Sequence, residues 1–406
     1  MYGRIFAHRN GVYFMNDFQN NNDRMGTRPS GYVPPQNTGY VNPADIYARS
    51  NGANNGNMNY GAPQYHYGAP MPPMINNQYL IEQQQRLARR REQEKDIKKT
   101  SNYVGLSFIL YYVAATVFSL LTLIPGVAEK YSTSVAFSNA VGVFYSVFTM
   151  GIIFFVAAKL FRKNGLDINI SFDKPAAGKN TLLIIFTCIG GCLAANYITS
   201  VVRMMFESIG LYVDYTAVED PQNLADVIMM FISTAVVAPL IEEFAMRGVV
   251  LQSLKKYGNT FAIIASSFIF ALLHGNPVQI MFAFLCGLLL GYAAVATNSL
   301  WTSIIIHAAV NSLSCIASAM YYFSTEEATD TVYLIITGVL AAAGITCALI
   351  YLLGKNYKQV FEYKGYGDLS TGAKFANFIK SPAIIITAVF FIWEAITSIT
   401  TTPVAY

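Results

Sequence analysis

The stretch PLIEEFAMRGVV, residues 239–250, sets two adjacent glutamates and an arginine inside a run of apolar residues. Whether that run is a water-facing helix or a membrane span decides the fold. A charged side chain at the centre of a bilayer costs about 2.5–3.5 kcal/mol even on lenient scales, so such residues are rare in spans and functional by default. A surface helix holds the same letters at no such cost.

The rest of the chain answers for the membrane. Of 406 residues, 54% are hydrophobic and only 12% charged, against roughly 25% charged in an average soluble domain. Two unlike parts lie behind these averages. Residues 1–77 are rich in Asn, Gly, Tyr, Pro and Gln and poor in Val, Ile and Leu. Such a composition buries too little apolar surface to offset the entropy of ordering it, and is expected to form a disordered polar tail. Residues 78–100, QYLIEQQQRLARRREQEKDIKKT, hold seven basic and four acidic residues among good helix formers. They read as a basic juxtamembrane helix whose residues 86–99 face anionic lipid headgroups, at about 1 kcal/mol per Lys or Arg near the surface. No nucleic-acid partner is expected.

From residue 101 to 406 long apolar runs alternate with short polar loops. The first run begins near Tyr103, too late for a cleavable leader, so it is expected to act as an uncleaved first span. A span needs about 20 apolar residues in helix. That measure places spans near 103–124, 135–161, 181–205, 225–252, 260–275, 277–296, 300–322, 331–353 and 381–401. The fifth is short, so the expected fold is an all-α polytopic bundle of eight to nine spans.

Loop charges test the count, because cytoplasmic loops are enriched in Lys and Arg. One set of alternate loops is basic: Arg162, Lys163, Lys174 and Lys179; Lys255 and Lys256; Lys355, Lys358, Lys364, Lys374 and Lys380. The other set is acidic: Glu207, Asp214, Glu219 and Asp220; Glu326, Glu327 and Asp330. The pattern fits nine alternating spans with a cytoplasmic N-terminus. It also puts residues 239–250 inside the fourth.

Few polar residues remain within the spans. The fourth carries Glu242, Glu243 and Arg247; His274 ends the fifth in FIFALLHG; the seventh carries His307 and Asn311 in IIIHAAVN. Two of the four histidines of the chain thus lie in spans close in sequence to the glutamates. Glu243 and Arg247 are i and i+4, on one helix face and able to pair. Glu242 points about 100° away from Glu243, toward another part of the bundle where the histidines lie. His307 and Asn311 also share a face. A carboxylate beside a histidine can deprotonate water while further donors stabilise an oxyanion, which is the equipment for peptide hydrolysis. Glu242, His274 and His307 could instead ligate zinc, although Asn311 suits an oxyanion better than a metal. A buried ion pair with two hydrogen-bonded histidines locking the helices is the structural alternative.

The remaining polar features read more simply. The five cysteines all fall in apolar runs and are taken as packing residues. Gly287 and Gly291 form a GxxxG pair suited to close helix packing. Arg203 is expected to snorkel outward, Glu394 to reach the interface or bond within the bundle, and GNP at 275–277 to break the helix that bears His274.

EEFAMR, FALLH and HAAVN fit EExxxR, FxxxH and HxxxN, in order and on consecutive apolar helices. In this the chain resembles the CPBP intramembrane proteases, the type II CAAX prenyl endopeptidases and their Abi or bacteriocin-processing relatives, over roughly residues 180–325. The resemblance implies that Glu242 is the general base, assisted by His274, and that His307 and Asn311 form the oxyanion hole. Glu243 and Arg247 would brace the site, and Phe270 is the aromatic of the second motif. The substrate would be a membrane-associated protein or peptide, and the protein would be a multi-pass protein of the cell membrane, in a bacterial source on the weak hint of its tail. The family has also been described as metal-dependent, so zinc stays open. From a different functional class, a non-catalytic scaffold or immunity-type protein could keep the same polar core. A transporter fits less well, since the other spans are nearly free of charge.

Overall fold

The computed structural model describes residues 77–213 and 221–401. The tail, and Asp214, Glu219 and Asp220 of the acidic loop, lie outside the described residues. What is described is a bundle of α-helices with one two-stranded ladder.

Helix α1 (Asn77–Ser119) joins the basic segment and the first span in one rod. Its 43 residues reach about 65 Å, twice the thickness of a bilayer core. Gln93, Ile97, Thr100, Ser101, Val104 and Phe108 are buried along one stripe, while all seven basic residues of 86–99 are exposed. The basic helix is therefore packed on the domain by one face and open on the other.

Then follow α2 (Val135–Lys163), α3 (Asn180–Ser208), α4 (Leu224–Lys255), α5 (Asn259–Leu272), α6 (Pro277–Thr297), α7 (Leu300–Phe323) and α8 (Glu326–Leu353). The last pair is α9 (Thr371–Ile379) and α10 (Pro382–Thr397), bent by 74° at the Lys380–Ser381 break. Among the described residues seven helices are long and apolar enough to cross a membrane, or eight if the bent pair is one span. Of the expected eight to nine spans the structure thus fits eight, and the shortfall is the fifth. With 14 residues, α5 reaches about 21 Å, short of the roughly 30 Å core. The expected ninth span, 381–401, likewise begins earlier and is kinked.

Contacts between loops sort the bundle into two ends. At the basic end Leu300 N–H donates to Ser171 O (2.9 Å), Asn259 N–H to Tyr363 O (3.1 Å), and Lys256 pairs with Asp96 (2.7 Å). At the opposite end Ala136 N–H donates to Asp226 Oδ1 (2.8 Å), and β1 (Tyr212–Val213) pairs antiparallel with β2 (Ile399–Thr400). Helices α5 and α6 form a hairpin that leaves and returns to the basic end.

The most buried segment is the second half of α4, where every residue from Ala245 to Val250 is buried. Around it sit α5 and α6, in close contact at the GxxxG pair: a Cβ on Gly287 would lie 3.0 Å from Ser267 Cβ, and one on Gly291 3.3 Å from Ile263. Small residues allow this approach where lipid gives no hydrophobic drive to associate. On the outside, Leu110, Val117, Leu334, Val339 and Val389 are exposed and apolar, as a lipid-facing belt requires.

Candidate active site

Helix α4 is not a regular helix. π-Helical segments at Phe231–Val237 and Phe244–Val250 flank the α-helical turns that carry the glutamates. Pro239 explains the first. In the π register Ala238 N–H reaches Ser233 O, so the next donor would reach Thr234 O, but proline has no N–H to give. Asn311 of α7 takes that carbonyl instead, donating from Nδ2 at 2.9 Å. The break in one helix thereby fixes a side chain on another.

The two glutamates face different surroundings. Glu243 and Arg247 are fully buried and paired at 2.8 Å, as their spacing predicts. Arg247 also donates to Gly287 O (3.1 Å), and its guanidinium carbon lies 4.5 Å above the Phe270 ring. The Glu242 side chain is 27% exposed and opens into a cavity.

The sequence reading turned only Glu242 toward the histidines; the structure differs. His307 sits between the glutamates, with Nδ1 2.9 Å from Glu243 Oε1 and Nε2 3.8 Å from Glu242 Oε2. Residues about 100° apart on one helix can flank a single ring from both of its nitrogens. Glu243 is therefore at once the partner of Arg247 and the orienter of His307.

These contacts also assign the ring protons. A carboxylate only accepts, so His307 Nδ1 carries hydrogen and Nε2 of the neutral ring is an acceptor. His274 follows the same logic: Nδ1 donates to Phe270 O at 3.0 Å, leaving its Nε2 as an acceptor. Phe270 meets both rings edge-on, with centroids 5.0 Å from His274 and 5.9 Å from His307. The motif aromatic thus touches three of the other polar side chains.

His274 closes α5, and a sharp turn follows. Gly275 takes φ +56°, and Asn276 caps α6 by accepting from Val278 N–H (3.0 Å) and Gln279 N–H (3.2 Å), with Pro277 opening that helix. This is the break expected at GNP. Glu394 of α10 packs on it, such that a Cβ on Gly275 would lie 2.9 Å from the Glu394 carboxyl carbon. Glu394 neither stands apart nor carries a motif of its own; it abuts the turn behind His274.

Glu242, His274, His307 and Asn311 line one cavity of about 540 Å³. Arg203 lines it too and pairs at 3.4 Å with Glu207, one turn nearer the outer end of α3. Asn139 and Asn196 also face it. Sequence reasoning missed these two because it weighed charged residues and histidines; an amide within an apolar span was the available signal. Among the described residues no three His, Cys, Asp or Glu side chains are grouped to hold a metal ion.

Residues 224–313 match the family model described as type II CAAX prenyl endopeptidase Rce1-like. That region is where the similarity lies. It takes in α4 to the middle of α7 and holds all three motifs, under a quarter of the chain, in keeping with the CPBP resemblance read from them. The matched family is one of CAAX-type proteases. No curated protein and no solved structure matches the chain.

Proposed function

We propose that the protein is an intramembrane endopeptidase that hydrolyses a peptide bond of a membrane-associated protein or peptide without a metal. What supports this is the convergence of Glu242, His274, His307 and Asn311 on one cavity within an Rce1-like region. In the proposed step Glu242 takes a proton from water, and His274 Nε2 accepts the water's second hydrogen and aims it. The water oxygen bonds to the carbonyl carbon, and the negative charge moves to the carbonyl oxygen. Asn311 is held to Thr234 O by one amide hydrogen and offers the other to that oxyanion. His307 donates from Nε2 only as imidazolium, a form for which Glu243 is the counter-ion. As the C–N bond breaks, the proton on Glu242 passes to the leaving nitrogen. The exposed basic row on α1 would rest on anionic headgroups, holding the N-terminal segment at the cytoplasmic surface.

The test is Glu242→Gln, which keeps shape and hydrogen bonding but removes the base. Proteomic comparison of membranes with and without the variant is expected to show loss of cleavage by at least about 10²-fold. Full processing by Glu242→Gln would sink the mechanism and favour a non-catalytic scaffold.

A further inference from the structure

The catalytic cavity runs from the catalytic groups toward one end of the bundle. Helix α3 leaves the basic end at Asn180, and its lining positions, from Cys192 to Arg203, lie on the way to the acidic end. They cover about 16 Å of helix. Helix α2 leaves the acidic end at Val135, and its lining positions are the nearby ones, from Ser138 to Ser146. Tyr131, in the short helix Pro125–Thr133 between α1 and α2, and Tyr333, in the first turns of α8, stand at the rim. Toward the basic end the way is filled. Glu243 and Arg247 are fully buried, and so is every residue from Ala245 to Val250. Beneath them Ile170 of the basic 162–180 loop and Leu300 press on Gly248, where a Cβ would lie 3.4 Å from the one and 3.6 Å from the other. Among the described residues none of the basic loops lines the cavity.

This is not the shorter way in. Along α4, Glu242 is about 20 Å from Lys255 at the basic end and about 27 Å from Leu224 at the acidic one. Hydrolysis consumes a water for every bond cut, and water crosses the apolar layer only where polar walls admit it. On the acidic side of Glu242 the walls carry Asn139, Ser146, Ser200 and Ser314. On its basic side α4 continues with Met246, Val249 and Val250, all buried. The loops name the two sides of the membrane, because Lys and Arg concentrate in the cytoplasmic ones. The end with Lys255, Lys256, Lys355 and Lys358 is cytoplasmic by that rule, and the end with Glu326, Glu327 and Asp330 is extracytoplasmic. We infer that the active site is reached from the extracytoplasmic side, and that it cuts membrane-anchored proteins or peptides at a bond on that flank. A protein tethered to the cytoplasmic face presents no bond to this mouth. The side of access rests on geometry and loop charge; the side of the cut bond rests on the peptidase reading above and extends it.

The experiment reads access and cutting separately. Ser146→Cys and Ser314→Cys each place a thiol on the cavity wall, outside the catalytic groups. Glu327→Cys and Lys358→Cys, both at exposed positions, are references for the acidic and basic ends. A membrane-impermeant methanethiosulfonate is added to the outside of sealed, right-side-out membrane vesicles, and peptide mass spectrometry separates each label from the native cysteines. The two cavity thiols are expected to react along with Glu327→Cys, at least about tenfold faster than Lys358→Cys, which should need permeabilised vesicles. Cavity thiols that follow Lys358→Cys, or that stay unlabelled after permeabilisation, overturn the inference. A Glu327→Cys thiol protected in sealed vesicles reverses the orientation and overturns it too. For cutting, mass spectrometry maps the bonds cleaved in membranes holding the wild-type protein but intact in those holding Glu242→Gln. These bonds are expected on the extracytoplasmic flank of their anchors, and bonds on the cytoplasmic flank refute the assignment. Identical membranes would overturn the peptidase reading, and the side of the cut bond with it, while the labelling still reports where the cavity opens.

Discussion

Glu243 carries two contacts through one oxygen: Arg247 at 2.8 Å and His307 at 2.9 Å both meet Oε1. Replacing Glu243 by Gln keeps an acceptor for His307 but leaves Arg247 charged, buried and without a counter-ion. Breaking a buried pair from one side costs about 3–5 kcal/mol, far more than the pair contributes net. Glu242, partly exposed to the cavity and 3.8 Å from His307 Nε2, holds no such structural contact. Glu243→Gln is therefore expected to lower stability by about 3 kcal/mol or more, and Glu242→Gln by under about 1 kcal/mol. Denaturant unfolding in detergent measures both. Adding Arg247→Met to Glu243→Gln should recover part of the loss, and a double-mutant cycle reads the coupling. Similar stability for the two single Gln variants would refute the division between brace and base. The pairing of Glu243 with Arg247 was legible in EEFAMR because i, i+4 geometry is local. The bond from His307 was not, because it depends on how α7 rotates against α4, and no spacing along one helix reports that.

At the scale of elements, α4 shows what periodicity hides. Its apolar pattern from 225 to 252 reads as one continuous span, and the span is there. The two π-helical segments leave no mark in the hydrophobic period, since a span that is apolar nearly all round has no face whose shift could be read. Pro239 was the visible clue. An alanine there restores an N–H that can bond Thr234 O or Ala235 O, closing the ladder and displacing Asn311 Nδ2 from its anchor. Proline in a helix interior is about 3 kcal/mol less favourable than alanine, though tertiary contacts have adapted to it. Pro239→Ala is thus expected to raise the unfolding temperature while cutting kcat about tenfold or more, within the 10²–10³-fold cost of losing one oxyanion donor outright. Asn311→Ala should cost a similar factor alone and add little to Pro239→Ala, because both remove the same positioned donor. A variant that is more stable and equally active would show that the helix break serves no catalytic geometry.

For the whole molecule, loop charges anticipated the sorting of the two ends, because lysines and acidic residues mark where the chain leaves the apolar layer. The closure of the bundle was hidden from them, since it joins residues nearly three hundred positions apart. Helix α10, the last described, packs on α1, the first. Ala383 N–H donates to Asn102 Oδ1 (3.1 Å), Thr387 Oγ1 donates to Gly105 O (3.1 Å), and Tyr112 stacks on Phe390 at 4.8 Å. The docking needs Gly105, where a Cβ would lie 2.5 Å from the Ala383 carbonyl carbon and 2.7 Å from Ile384 N. Backbone cannot rotate away as a side chain can, so even one methyl group forces the helices apart, at about 1–3 kcal/mol for overpacking. Gly338 of α8 is the matched control, a helical glycine whose added Cβ would meet nothing within 4 Å. There alanine gains only helix propensity, about 0.5–1 kcal/mol. Gly105→Ala is accordingly expected to lower the unfolding temperature and Gly338→Ala to raise it, measured side by side in the same detergent. Gly105→Ala should also lower activity, because α10 carries Glu394 against the turn that places His274. Loss of stability with activity intact would mean that closure by the first and last helices holds the bundle together without shaping the site.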